Sequence, residues 1–382
     1  MDNYVILQQG QGKDAAADAS IVVANLTDRE VAEAERDSAI REIAPIAPME
    51  LIDHCDAPDG QDDVHNGEDS WGLKAIGADG DQLTGSGVTV ALIDSGISKD
   101  HEAFDPFKIL QKNFTVSGDD DKCGHGTHCA GILFGQKVRG RRIGVAPGVK
   151  RALIAKVTPD DGKISSDSVY QAMLWAVRER ADIISMSLSF DHVGMVAASK
   201  KRGLPEDLAL SESLISYRKN LRMLEALVAM MDKQEALGYS PLVVAAAGNQ
   251  SRRRCEPAIK IGVPLPAAAS GVVSVAAVAR GPDGLMRAAD FSNVLPTLAA
   301  PGVRITSAWL NGGLKCASGT SAACPHAAGV AALWLEHLRR GKRKVNAELL
   351  RATLRDNARK DRLVEPYDPS DFGSGIVAAP LP

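Results

Sequence analysis

Val88-Thr89-Val90-Ala91-Leu92-Ile93-Asp94-Ser95-Gly96 is an apolar run that ends in a carboxylate and a glycine. Four further stretches repeat its character: Leu153 to Val157, Ile183 to Leu188, Leu242 to Ala247 and Val272 to Val278. Each is continuously apolar where a strand with one wet face would alternate, so each reads as a strand buried on both faces, as in a parallel sheet. Helical patterns lie between them. Ser166 to Glu179 carries Val169, Met173, Ala176 and Val177 at helical spacing, and Ala322 to Leu338 carries Val330, Leu333 and Trp334. Strands alternating with crossover helices predict an α/β domain, doubly wound on a mostly parallel sheet with helices on both faces, over residues 71–382.

Residues 1–52 read as a separate small α+β extension. Tyr4 to Leu7 and Ile21 to Ala24 suit strands, Thr27-Asp28 opens a helix reaching Glu35, and Ile40 to Ile46 follows. Residues 53–70 hold Asp53, Asp56, Asp59, Asp62, Asp63, Glu68 and Asp69 with no Lys or Arg, the composition of a solvated acidic linker. A second unusual region, 191–241, holds a helical stretch from Pro205 to about Glu235. Pro205, Glu206 and Asp207 suit its start and Gly238 its stop. Leu214, Tyr217, Leu221, Leu224, Leu227 and Met231 would form one apolar stripe, packed on the domain itself or offered to a protein partner.

Composition excludes several classes. The chain has 382 residues, 45% apolar and 24% charged, with 44 Lys and Arg against 48 Asp and Glu. Collagen-like and wholly disordered chains are ruled out, and a net charge of −4 gives no global footprint for nucleic acid or an anionic membrane. Apolar runs stay far short of a membrane span, and no basic region followed by an apolar one marks a leader. A cytoplasmic protein without membrane or nucleic-acid partners is expected. The six cysteines, Cys55, Cys123, Cys129, Cys255, Cys316 and Cys324, read mostly as free thiols.

Four segments carry chemistry. A buried strand-end carboxylate such as Asp94 is costly without a partner, ideally an imidazole. Gly124-His125-Gly126-Thr127-His128-Cys129 places a histidine at the start of a small-residue helix, and its glycines permit close backbone approach. Gly319-Thr320-Ser321-Ala322-Ala323-Cys324-Pro325-His326 sets Ser321 at a helix N-terminus, where free N–H groups favour a developing oxyanion. Ala245-Ala246-Ala247-Gly248-Asn249 ends another strand in an amide donor. A serine hydroxyl needs an adjacent base that is itself oriented by a third group, and Asp94, His125 and Ser321 supply the three types. Metal ligation by His125, His128 and Cys129 is the competing reading of the second segment.

In that order along the chain these four motifs resemble the subtilisin-like serine proteases, or subtilases, over about Trp71 to Ala379. Ile183-Ile184-Ser185-Met186-Ser187-Leu188, Phe291-Ser292-Asn293, Ala300-Pro301-Gly302 and Phe372-Gly373-Ser374-Gly375 fit as well. The resemblance implies a serine endopeptidase working through an acyl-enzyme. His125 would take the proton of Ser321, Asp94 would fix the tautomer of His125, and Asn249 with the Ser321 N–H would bind the oxyanion. It further implies substrate contacts at Ser187, Leu188, Ser189, Ala246, Ala247 and Gly248, and a first specificity pocket near Pro264-Leu265-Pro266 taking an apolar or small residue. Residues 1–52 would be a propeptide removed by self-cleavage in the acidic linker, or else a permanent arm.

Three departures stand out. Ala322 follows the serine where the family usually has methionine, and Ser189 replaces the glycine of the family's Ser-Leu-Gly edge. The loop where many subtilases hold calcium reads Gln136-Lys137-Val138-Arg139-Gly140-Arg141-Arg142, four cations and no carboxylate, so no metal or other cofactor is expected. The insertion beside the substrate edge suggests a selective processing enzyme acting on a protein or peptide. A catalytically silent binding module on the same fold is the alternative.

Overall fold

Period-two alternation in the first strand explains how the N-terminal unit is attached. In the computed structural model, which describes residues 2–10, 18–53, 70–105, 107–233 and 240–381, strands β1 (Asp2–Gln8), β2 (Ser20–Leu26) and β3 (Ile40–Pro45) form an antiparallel sheet in the order β2-β1-β3. Helix α1 (Asp28–Ala34) starts at the expected place, where Thr27 and Glu30 make a capping box. Ile6 packs with Val31 of α1 and Ile43, whereas its neighbours Val5 and Leu7 point to the opposite face and join the core of the main domain. The most acidic stretch, 54–69, lies outside the described residues, as do Cys55, Glu235 and Gly238.

Strand β4 (Pro48–Leu51) leaves this unit, and α2 (Trp71–Ala75) resumes beyond the acidic stretch. The main domain then runs β5 (Thr89–Asp94), β6 (Ile109–Asn113), α3 (His125–Phe134), the hairpin β7 (Lys137–Val138) and β8 (Arg141–Arg142), β9 (Arg151–Lys156), β10 (Ile164–Ser165) and α4 (Ser166–Arg178). It continues through β11 (Ile183–Met186), β12 (Leu188–Phe190), α5 (His192–Lys201), α6 (Glu206–Asp232), β13 (Leu242–Ala246), β14 (Val272–Arg280) and β15 (Met286–Ala288). β16 (Leu298–Pro301), the hairpin β17 (Ile305–Ala308) and β18 (Leu314–Ala317), and α7 (Thr320–Arg340) follow. Eight strands build the central sheet, in the order β15-β14-β13-β11-β5-β9-β6 with β16 also on β14, and every pairing but β14–β15 is parallel.

All six residues of β5 are buried, as the continuous apolar reading requires. Burying one Val, Leu or Ile side chain contributes about 1.5–3 kcal/mol, an upper figure because unfolded chains are partly compact. The sheet is covered on one side by α3 and α7 and on the other by α4 and α6, whose residues fall in separate core clusters. The order of strands sets the ends of β5, β11 and β13 side by side at one edge, the place where open parallel sheets hold their ligands.

Two expectations need correction. Ile183 to Leu188 is one apolar run, yet it divides at Ser187: β11 stays in the central sheet, and β12 turns away to pair antiparallel with β4, which is bonded on its other edge to β10. The apolar stripe of α6 also ends early. Leu224, Leu227 and Met231 are buried against the sheet, but Leu214 is 67% exposed, at the wall of an open cavity that Phe190 and Tyr217 also line. Where it is covered, α6 meets the N-terminal unit: Asn220 Nδ2 donates to the Pro45 carbonyl at 3.1 Å, and Lys219 pairs with Glu35 at 3.0 Å.

Candidate active site

Asp94 ends β5 and is fully buried. Its Oδ1 accepts from the Ser95 N–H at 2.7 Å and from His125 Nδ1 at 2.7 Å. An ionised carboxylate in this setting is tolerable because those donors replace part of its lost hydration. Burial opposes a charge on His125, but the Asp94 carboxylate outweighs it and raises the imidazole well above its ordinary range.

His125 opens α3 because the backbone before it is glycine in the left-handed region: Gly124 has φ +82°, and a Cβ there would strike the Trp309 ring at 2.7 Å. Gly126 is needed for space, since a Cβ would stand 2.2 Å from the Gly96 carbonyl oxygen. A residue overlooked in the sequence ties these loops together. Asp121 accepts from the Thr127 hydroxyl, the Gly124 N–H and the Ser95 hydroxyl, while the Ser95 oxygen accepts in turn from the Gly126 N–H. Burial works against its charge, yet these bonds hold its carboxyl below the usual range. An aspartate four residues before the histidine was the available signal, lost among Asp119 and Asp120 beside it.

Ser321 is the second residue of α7 and is fully buried. Its carbonyl accepts from the Cys129 thiol, one turn after His125, at 3.4 Å, and from the Ser187 hydroxyl at 3.2 Å. Gly319 has extended backbone, and its lack of a side chain leaves room for the serine hydroxyl: a Cβ would lie 2.6 Å from Ser321 Oγ and 3.2 Å from Asn249 Nδ2. Thr320, also overlooked, positions Asn249 by donating to its Oδ1 from N–H and hydroxyl at 2.9 and 2.8 Å. The Gly248 N–H donates to the same Thr320 hydroxyl at 3.0 Å. Ala322 is buried beneath the serine.

Strand β4 runs into this site. Ile52 N–H donates to the Ser187 carbonyl at 3.0 Å, His125 Nε2 lies 3.1 Å from the Ile52 carbonyl oxygen, and Asn249 Nδ2 donates to the Asp53 carbonyl at 2.8 Å. A carbonyl only accepts, so the contact with Nε2 is a hydrogen bond when that nitrogen carries a proton. With Nδ1–H given to Asp94, this describes the imidazolium. Leu188 and Ser189 face Leu51 and Glu50 in register, and Ala246 and Ala247 are buried at the strand end beside Gly248.

The metal reading is corrected in its ligands. Among the described residues, Asp94, His125 and Cys129 bring ligand atoms within 4.8 Å of one another, whereas His128 instead contacts the Ile305 and Lys315 carbonyls. Burial pushes His128 down to about 3, so it stays neutral. Cys123, Cys129, Cys255, Cys316 and Cys324 are all free thiols, and burial pushes Cys324 up to about 12.

A family model described as the subtilase family matches residues 85–375. The chain is 32% identical over 303 residues to "Subtilisin-like protease 3" of Pseudogymnoascus destructans, covering 76% of this chain and 62% of that protein. It is 32% identical over 281 residues to "Minor extracellular protease Epr" of Bacillus subtilis, covering 72% and 36%. It is 31% identical over 271 residues to "Thermostable alkaline protease" of Halalkalibacterium halodurans, covering 69% and 62%. The chain thus spans about a third to three fifths of the length of these relatives.

Proposed function

The chain belongs to the subtilase family, and on that premise we propose that it is a serine endopeptidase that cuts protein or peptide substrates through an acyl-enzyme. The observation that carries this reading is the 2.7 Å bond between Asp94 and His125, set beside a serine at a helix N-terminus and an asparagine whose Nδ2 already holds a carbonyl. Ser321 attacks the peptide carbonyl as His125 takes its proton. Asp94 holds the imidazole by Nδ1 and stabilises its charge. Asn249 and the Ser321 N–H receive the oxyanion, and His125 returns the proton to the leaving amine. An active-site-directed serine-hydrolase probe should label the purified chain and not a Ser321→Ala version. No labelling and no cleavage of a protein substrate would favour the silent binding module.

Residues 1–52 act, in this reading, as a propeptide that occupies the cleft before it is cut away. β4 supports it by lying between β10 and β12, with the carbonyls of Ile52 and Asp53 just beyond it on His125 and Asn249, the course an extended substrate would take. Intact mass during activation should show loss of a piece ending within residues 52–70; a chain that is labelled but keeps its N-terminus carries a permanent arm. The substrate side chain before the cut would be apolar or small, entering beside Ala246, Gly248 and Pro264.

Catalysis needs no cofactor in this proposal. The basic loop 136–142 does not fit a calcium ion: Arg142 donates to the Gly80, Gly144 and Val145 carbonyls and pairs with Asp81, so its guanidinium sits where a cation would seek oxygens. We also place the protein in the cytoplasm, supported by five free thiols among the described residues; among those residues no helix is long and apolar enough to cross a membrane. The α5–α6 insertion beside the cleft supports selective processing, and its test is turnover of a proteome-derived peptide mixture, where a narrow set of cut sites is expected.

A further inference from the structure

Side chains alternate along β4, so Met49 goes into the core and Glu50 to the opposite side. There Glu50 borders a cavity of about 590 Å³ that the helical insertion helps to wall. Phe190, Val193, Leu214, Tyr217, Val263 and Pro264 supply its apolar sides. Its polar rim holds Asp191, His192, Gln250 and Asn293, and among the described residues no Lys or Arg lines it. Ser189, the departure from glycine at this edge, donates its hydroxyl to Glu50 Oε1 at 3.3 Å, and Asp191, just past the end of β12, donates its N–H to the Pro48 carbonyl at 3.0 Å. The chain therefore sets a carboxylate of its own arm next to a fixed carboxylate of the cavity.

Building on the propeptide reading, we infer that this cavity is a specificity subsite for a lysine or arginine of the substrate at the position Glu50 holds, and that Glu50 makes the chain's own arm an electrostatic mismatch there. A long cationic stem would lie along Phe190, Leu214 and Tyr217 with its charge at Asp191. Asp191 keeps one oxygen on the Gly194 N–H, which fixes it in place as the cap of α5. The groups facing Glu50 are Asp191 and His192 at the start of α5, Tyr217 of α6, Gln250, and Asp53 of its own segment. Burial first, then the charges of Asp191 and Asp53, raise the Glu50 carboxyl, while hydrogen bonds from Ser189 and Gln250 oppose the rise. A pKa raised on docking means that the docked arm is favoured in acid and loosened as pH rises through the docked value.

The test is the rate at which the serine-hydrolase probe labels the full chain at pH 8 and low salt. Glu50→Lys should slow labelling about tenfold against wild type, with Glu50→Gln between them and less dependent on pH. Labelling of every version establishes catalysis in the same tubes, so equal or faster labelling of Glu50→Lys overturns the subsite while the proposed activity stands. A second measurement uses peptides Pro-Met-X-Leu-Ile-Ala-His, with a small residue before the cut, in which X is Lys or Glu. The kcat/KM should favour Lys by about tenfold, and Asp191→Asn, which keeps the α5 cap, should bring the ratio to within about twofold. Equal turnover of the two peptides by wild type would likewise overturn it.

Discussion

Asn249 holds the Asp53 carbonyl through Nδ2 at 2.8 Å while its Oδ1 is held by Thr320. The donor and acceptor ends of one amide therefore have different duties, and substitutions can separate them. Asn249→Asp keeps an oxygen for Thr320 but puts a negative charge where an oxyanion forms. Its kcat on a peptide should fall by at least about 10²–10³, the usual cost of one oxyanion donor, with the thermal midpoint little changed. Asn249→Leu loses both ends, so it should show the same kcat loss together with reduced stability. An unchanged kcat in either variant would remove Asn249 from the chemistry.

The bond between Asp94 and His125 gives a pH prediction. Only neutral imidazole can accept the serine proton, and Asp94 raises the pKa of His125, so probe labelling of the full chain should rise with pH through a midpoint above about 6.5. Asp94→Asn should move that midpoint down and cut kcat by roughly 10⁴. The linked effect on stability follows the same sign. A folded pKa above the unfolded one contributes stability that is full below the unfolded value and lost as pH rises through the folded one. Denaturation midpoints across that window measure it.

Much of this site was legible because its chemistry is written in local motifs. Asp94 ends an apolar run, His125 and Ser321 open helices that begin just after a glycine, and each motif fixes its own backbone. What the sequence hid depends on long-range pairing. The division of Ile183 to Leu188 at Ser187 cannot be read locally, because β12 exists only through its bonds to β4, more than a hundred residues earlier. Asp121 and Thr320 looked like ordinary turn residues; their importance lies in which distant N–H and hydroxyl groups they gather. The stripe on α6 had the right period, but period alone does not say which turns of a helix are covered, and Leu214 lies exposed while Leu224 and Leu227 are buried.

Gly126→Ala tests the tight packing between the two catalytic loops. The new methyl would meet the Gly96 carbonyl oxygen at 2.2 Å and Asp94 Oδ1 at 3.1 Å, and neither can retreat without disturbing the bond to His125. Overpacking of this kind costs about 1–3 kcal/mol, so the denaturant midpoint should drop with an unchanged m-value. Gly118→Ala is the control. Nothing lies within 4 Å of its added Cβ, and its stability should stay within about 0.5 kcal/mol of wild type.

Met49 decides whether β4 limits access to Ser321. Its side chain is 4% exposed and packs with Ile164, Leu188 and Phe190 in one cluster, so it anchors the strand whose end covers the serine. Truncating a buried Met costs about 2–5 kcal/mol, and most of that falls on the docked strand because its partners belong to the main domain. Met49→Ala should therefore speed probe labelling of the full chain by more than about tenfold. Val23, 45% exposed on the edge strand β2, offers the comparison: Val23→Ala should leave labelling unchanged. If Met49→Ala labels at the wild-type rate, docking of β4 does not control access, and the serine must be reached by a route that leaves the strand in place.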